Sequence, residues 1–163
     1  MAEKKKYKNY VTPRGIAKFA WLTTPDTRFN SDGDYSIKLV IPAEKAQELM
    51  ETISNAHDAW VASVKDENPK KKLKIAALPY TEEVDDDDNE TGNIIFTFKM
   101  HAKITVNRGT PGEKTYTQKP TLVDATGTII NKPIQVYGGS EVKVSFQMHP
   151  YSTNIGVGIS LRL

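Results

Sequence analysis

The chain contains no cysteine, and that absence removes disulfide staples, thiolate zinc sites and a cysteine nucleophile together. An intracellular, reducing setting is the simple expectation. No apolar run nears the roughly 18 residues of a membrane span, so no membrane partner is expected. The N-terminus, Met-Ala-Glu-Lys-Lys-Lys, is charged and leads into no apolar segment, unlike a secretory signal. The histidines His57, His101 and His149 show no metal-ligand spacing, and no nucleophile stands beside a base. Asp87, Asn89, Thr91 and Gly92 begin like a calcium loop, but Phe98 stands where the bidentate glutamate belongs. Neither catalysis nor a metal or cofactor is expected.

What is present is a chain of 163 residues, 38% hydrophobic and 26% charged, the profile of one globular domain. Its net charge is only +2, but the distribution is uneven. Seven of the 20 acidic residues lie between Glu82 and Glu90, a stretch with no Lys or Arg. Elsewhere 22 basic residues face the remaining 13 acidic ones, a balance of +9. A basic body with a segregated acidic segment suits a surface that binds a polyanion.

The hydrophobic period then divides the chain. Residues 1–9 read as a basic arm. Arg14–Leu22 and Tyr35–Ile41 read as strands, the second with Tyr35, Ile37, Leu39 and Ile41 on one face. Pro42 ends that ladder. Ala46, Leu49, Met50, Ile53, His57, Trp60 and Val64 then recur at steps of three and four, which predicts one helix over about 43–65. Residues 66–93 read as a long irregular loop holding the acidic run. From Ile94 the alternation of Phe96, Phe98, Met100, Ala102, Ile104 and Val106 predicts one long strand. A shorter strand is expected near Thr115–Val123, and two more carry Val142–Met148 and Ile155–Leu163. About five antiparallel strands with one inserted helix describe a mainly β, OB-fold-like Greek-key barrel. A β-sandwich with a peripheral helix is the alternative architecture.

Three segments then carry a family resemblance. Phe96-Thr-Phe-Lys-Met-His-Ala-Lys leads to Leu122-Val123-Asp124-Ala-Thr-Gly127. Pro133-Ile134 precedes Tyr137-Gly138-Gly139-Ser140-Glu-Val-Lys-Val-Ser-Phe146. Pro150-Tyr151 precedes Asn154 and Gly156-Val-Gly158. This order and spacing resembles the single-stranded DNA-binding proteins of podophages and some other tailed phages. The resemblance implies an OB-fold that coats single-stranded DNA in replication and recombination, in the cytoplasm of the infected host. It also implies contacts with the phage polymerase and helicase-primase; self-association is a separate expectation. In the family those polymerase and helicase-primase contacts run through a long acidic C-terminal tail that competes with DNA; this sequence runs to Leu163 in a strand pattern without one.

Binding single strands requires cations that follow phosphates and flat side chains that stack on bases. Lys99 and Lys103 fall on one outer strand face about 13 Å apart by strand rise, with His101 between them. Tyr151 occupies the Pro-Tyr turn where the resemblance implies a stacking tyrosine, while Thr153 stands where relatives often carry a tryptophan. Tyr80, Tyr116 and Tyr137 are further candidates in or beside loops. Arg14, Lys18, Lys38 and Lys143 are strand-borne cations, and Lys70, Lys71, Lys72 and Lys74 form a loop cluster. Trp21, Trp60, Phe96, Phe98 and Phe146 are assigned to packing. Gly156 and Gly158 are expected to permit barrel curvature or close backbone approach. The competing function is a phage structural or accessory β-barrel that works through protein contacts.

Overall fold

The computed structural model describes residues 7–28, 30–130, 138–153 and 156–163. Its elements in chain order are β1 (Asn9–Val11), β2 (Gly15–Asp26), β3 (Asp34–Pro42), α1 (Ala43–Glu67), β4 (Tyr80–Val84) and β5 (Glu90–His101). There follow β6 (Lys103–Val106), β7 (Lys114–Thr117), β8 (Glu141–Val142), β9 (Ser145–Ser152) and β10 (Val157–Arg162). Residues 1–6 of the basic arm, Tyr137 and Asn154 lie outside the described residues.

The main sheet runs β1-β9-β10-β5-β3-β2-β8, with β4 added to β5. Its two ends meet. β1 lies against β9 from Asn9↔Gln147 to Val11↔Ser145, and β2 lies against β8 at Gly15↔Val142 and Ile16↔Glu141. Between them the Thr12 N–H donates to the Val144 carbonyl, and the Val144 N–H donates to Thr12 Oγ1, both at 2.9 Å. β1–β2 and β8–β9 are therefore one long ladder, slipped by one residue around Pro13–Arg14. Ile16 also pairs with Val40 of β3, so the ring closes as β2-β3-β5-β10-β9/β8. One contact in it, Lys99↔Arg162 between β5 and β10, is parallel, and the rest are antiparallel. This is the five-stave OB-type barrel that the alternation predicts.

Alternation fills the interior. Ile37, Leu39 and Ile41 of β3, Phe96 and Phe98 of β5, Phe146 of β9 and Leu161 of β10 share one core. The Phe98 and Phe146 rings meet 5.2 Å apart across it. Burying each such side chain stabilises the fold by about 1.5–3 kcal/mol. Ala46, Leu49 and Ile53 of α1 plug the same core, while Val61 and Val64 pack on Val157 in a second cluster. The helix ends where the Asn68 N–H bonds back to the Val64 and Lys65 carbonyls. No helix among the described residues is long and apolar enough to cross a membrane.

Three expectations change. Residues 66–93 are not one irregular loop: β4 and the start of β5 form a hairpin whose turn is the acidic run. Asp85 builds that turn, its Oδ1 accepting from the Asp87 and Asn89 N–H groups at 2.9 Å each. Carboxylates at every turn position disguise a strand pair that is supplied by β5. The long strand from Ile94 breaks at Ala102, whose N–H donates to the Gly33 carbonyl and whose carbonyl accepts from the Gln118 N–H. β6 leaves the barrel there and among the described residues pairs only with β7, and that strand stops at Thr117, short of Val123.

Candidate nucleic-acid interface

A β-bulge on β2 shapes the outer face of the barrel. Up to Lys18 the pairing is Ile16↔Val40, Ala17↔Leu39 and Lys18↔Lys38; beyond it Trp21 pairs with Ser36, so β2 carries one extra residue. Phe19 sits in the bulge at φ 48°, a left-handed backbone that glycine adopts without strain and other residues rarely do. Strict alternation would turn Trp21 inward with Ala17. The extra residue reverses that, so Ala20 and Leu22 pack on the core and Trp21 faces outward with Ser36. The assignment of Trp21 to packing is thus corrected, because a one-residue slip exchanges the faces of a strand.

The aromatic rings turned out in this way are joined by cations. Phe19 is 72% exposed, with Lys38 Nζ 5.8 Å from its ring centre. Arg28 Cζ stands 5.0 Å over the half-buried Trp21 ring. Asp26 orients that guanidinium through two side-chain bonds, Nε to Oδ1 at 2.9 Å and Nη2 to Oδ2 at 2.8 Å. The same bonds, more than any other influence, hold the Asp26 carboxyl at a pKa of about 2. A bidentate pair fixes the cation in direction as well as in charge.

The pairing registers then place a row of outward residues across the barrel. Trp21 of β2 lies beside Ser36 of β3, Lys99 of β5, Arg162 of β10, Gln147 of β9 and Asn9 of β1. Each step is about 4.8 Å. A parallel row reads Lys18, Lys38, Thr97. Lys18 thus faces Lys38, and Lys99 faces Arg162. Like charges directly opposed on a sheet are destabilising, so this arrangement suits an external anion better than it suits the fold.

The far flank is also aromatic. Tyr7 stacks on His149 with ring centres 3.9 Å apart. Burial, then the Arg162 charge, pushes the His149 pKa below its usual value, which keeps that ring neutral. Tyr151 lies opposite Gly158, and a Cβ on that glycine would stand 2.9 Å from the tyrosine Oη and 3.0 Å from Ala76 Cβ. The expected close approach is real, since the Val157 N–H donates to the Lys74 carbonyl and the Ala76 N–H to the Val157 carbonyl. Trp60 Nε1 donates to the Tyr151 carbonyl at 2.9 Å, tying this strand to the helix.

Other candidates are placed differently. Lys103 belongs to β6, opposite Thr117, so Lys99 and Lys103 do not share one strand face. His101 Nδ1 lies 2.6 Å from Asp34 Oδ1 and is committed to that carboxylate. Tyr80 is not in a loop: it lies on β4 with its ring 5.5 Å from Phe96, packed against the core. Tyr116 is exposed on β7, on the arm outside the barrel. Arg14 and Lys143 are exposed where the β1–β2 ladder slips. Phe19, Trp21, Arg28 and Arg162 complete the face and were not among the candidates. The clue in the sequence is Ala17 followed by Ala20 and Leu22, small and aliphatic residues that change parity around the aromatic pair.

In OB-folds, oligonucleotides bind across strands two and three and the loops between strands one and two and between four and five. Here strands two and three are β3 and β5; Arg28 follows β2 toward the first of these loops, and Tyr151 lies near the end of β9, before the second.

The family model for the single-stranded DNA-binding protein of bacteriophage T7 matches residues 14–163. The single-stranded DNA-binding protein of Escherichia phage T7 is 30% identical over 174 residues, covering 96% of this chain and 72% of that protein. Its counterpart in Enterobacteria phage T3 is 28% identical over 172 residues, covering 97% and 73%. The crystal structure of gp2.5, the T7 protein, superposes with a TM-score of 0.76 at 24% identity, covering 97% of this chain and 84% of that one. The single-stranded DNA-binding protein of bacteriophage Enc34, solved in complex with single-stranded DNA, gives 0.65 at 16% identity, with 95% and 82% covered. With the fold shared and the family model matched from Arg14 to the last residue, the chain belongs to the T7-type family of phage single-stranded DNA-binding proteins.

Proposed function

We propose that the chain binds single-stranded DNA without catalysis, coating and protecting it during phage replication and recombination in the cytoplasm of the infected host. The strand crosses the outer face of β3, β5 and β10. Its phosphates meet Lys38, Lys99, Arg162 and Arg28, and its bases stack on Trp21 and Phe19 at one flank and Tyr151 at the other. The observation that carries this reading is the bulge at Phe19, which turns two aromatic rings outward beside a row of like charges. A strained backbone and exposed rings cost stability, and stacking on bases is a use that accounts for both. A structural barrel working through protein contacts has no comparable support and is not favoured by the family.

An oligo-dT titration at two or more salt concentrations tests the proposal. Single-strand binding falls with salt at about 0.7 log unit per phosphate neutralised, so four engaged cations predict a slope near about −2.8. Absent or salt-insensitive binding would overturn it.

A further inference from the structure

Lys18 is paired with an anion on its own outer face, where β5 turns Asn93, a partner of that anion, to the same side as Lys99. Lys18 lies opposite Lys38 in the cationic row, and its Nζ is 2.7 Å from Oε2 of Glu83 on β4. The two partners are unequal, the lysine side chain 45% exposed and the glutamate 12%. The carboxylate is also held from its other side, where Oε1 accepts from Thr91 Oγ1 at 2.9 Å and from Asn93 Nδ2 at 3.2 Å. These bonds, led by that to Lys18, keep the Glu83 carboxyl ionised below its usual range. The carboxylate is thus a fixed anion built by the β4–β5 hairpin. The amine ends a flexible four-carbon stem that can change partners without moving the backbone.

We infer that Glu83 is an internal counter-ion that occupies the Lys18 charge on this face until a phosphate takes the place of its carboxylate. The inference rests on the proposal that this face binds single-stranded DNA. An ion pair with a half-exposed partner is weak and is screened by salt, so a nucleic-acid phosphate can displace it. The exchange is self-limiting: when Lys18 neutralises a phosphate, the vacated carboxylate takes up a cation from solution. The salt-driven gain of that contact is then cancelled. Glu83 therefore lowers the affinity of the face and flattens its salt dependence. It is a positioning residue in this scheme and touches no DNA itself.

Glu83→Gln tests this, because the amide oxygen can keep the Thr91 and Asn93 bonds while the negative charge goes. The expected result in the full chain is oligo-dT binding about two- to fivefold tighter at 50 mM salt, with a slope steeper by about 0.7. In a Lys18→Met background the same change should add nothing. Circular dichroism and a thermal melt on each variant establish that the barrel is retained. Unchanged affinity and slope in a Glu83→Gln protein whose parent binds oligo-dT would overturn the inference and leave the DNA-binding proposal standing. A fall in affinity would overturn it by showing that Glu83 presents Lys18 to the DNA. An equal gain in the Lys18→Met background would overturn it by tracing the effect to the general field of the acidic hairpin. A parent that fails to bind oligo-dT at all refutes the underlying proposal.

Discussion

Trp21→Ala is expected to weaken oligo-dT binding about five- to 150-fold, the equivalent of the roughly 1–3 kcal/mol that one stacked base contributes. Its melting temperature should stay close to that of the parent. The ring projects from the outer face beside Ser36 and under Arg28, and its neighbours Ala20 and Leu22 make the core contacts. Losing the indole also removes the surface over which the Arg28 guanidinium is held, so one phosphate contact loosens with the base. Phe19→Gly supplies the complementary sign. Glycine adopts the φ of 48° at that position without strain, so the barrel should hold or gain stability while DNA affinity falls. A Trp21→Ala protein that melts early yet binds normally would return Trp21 to a packing role.

Phe96→Ala should have the largest effect on the fold itself. The side chain is fully buried in β5, with Leu39 of β3 on one side and Tyr80 of β4 on the other. Truncating such a ring costs about 3–5 kcal/mol, the lost transfer energy plus the cavity left behind. That is a large share of the roughly 5–15 kcal/mol that keeps a typical domain folded. Urea unfolding followed by circular dichroism measures it, and a loss below about 1 kcal/mol would mean the barrel interior refills or was never tight at this point. Because β5 also carries Lys99, the variant should bind DNA poorly in proportion to its unfolded fraction.

The parts that were legible in the sequence are those governed by a strict period. β3 and β5 alternate without interruption, so their inward faces followed directly, while their pairing with one another is visible only in the fold. The helix followed from its three-and-four spacing, and Val61 takes the buried place expected of Trp60, which is partly buried and donates to the Tyr151 carbonyl. The outward positions of Lys38 and Lys99 could be read because both stand on regular strands. What was not legible depends on single-residue slips and on neighbours remote in the chain. The bulge at Phe19 reverses the face of Trp21, and no local pattern fixes where β2 slips against β3. The bend at Ala102, which parts Lys103 from Lys99, is set by a carbonyl at Gly33. β4 exists because β5 offers it an edge, not because Tyr80–Val84 favours a strand. Arg162 joins the site only through the parallel contact of β10 with Lys99, a closure that is visible once the barrel is assembled.

The central claim is that DNA bases lie on the outward aromatic rings of β2. The chain has two tryptophans, so Trp60→Phe leaves Trp21 as the single indole reporter. Titrating that protein with oligo-dT should quench its fluorescence in step with binding, and raised salt should restore both together. Full binding measured by a second method, with the Trp21 emission unchanged, would contradict the account.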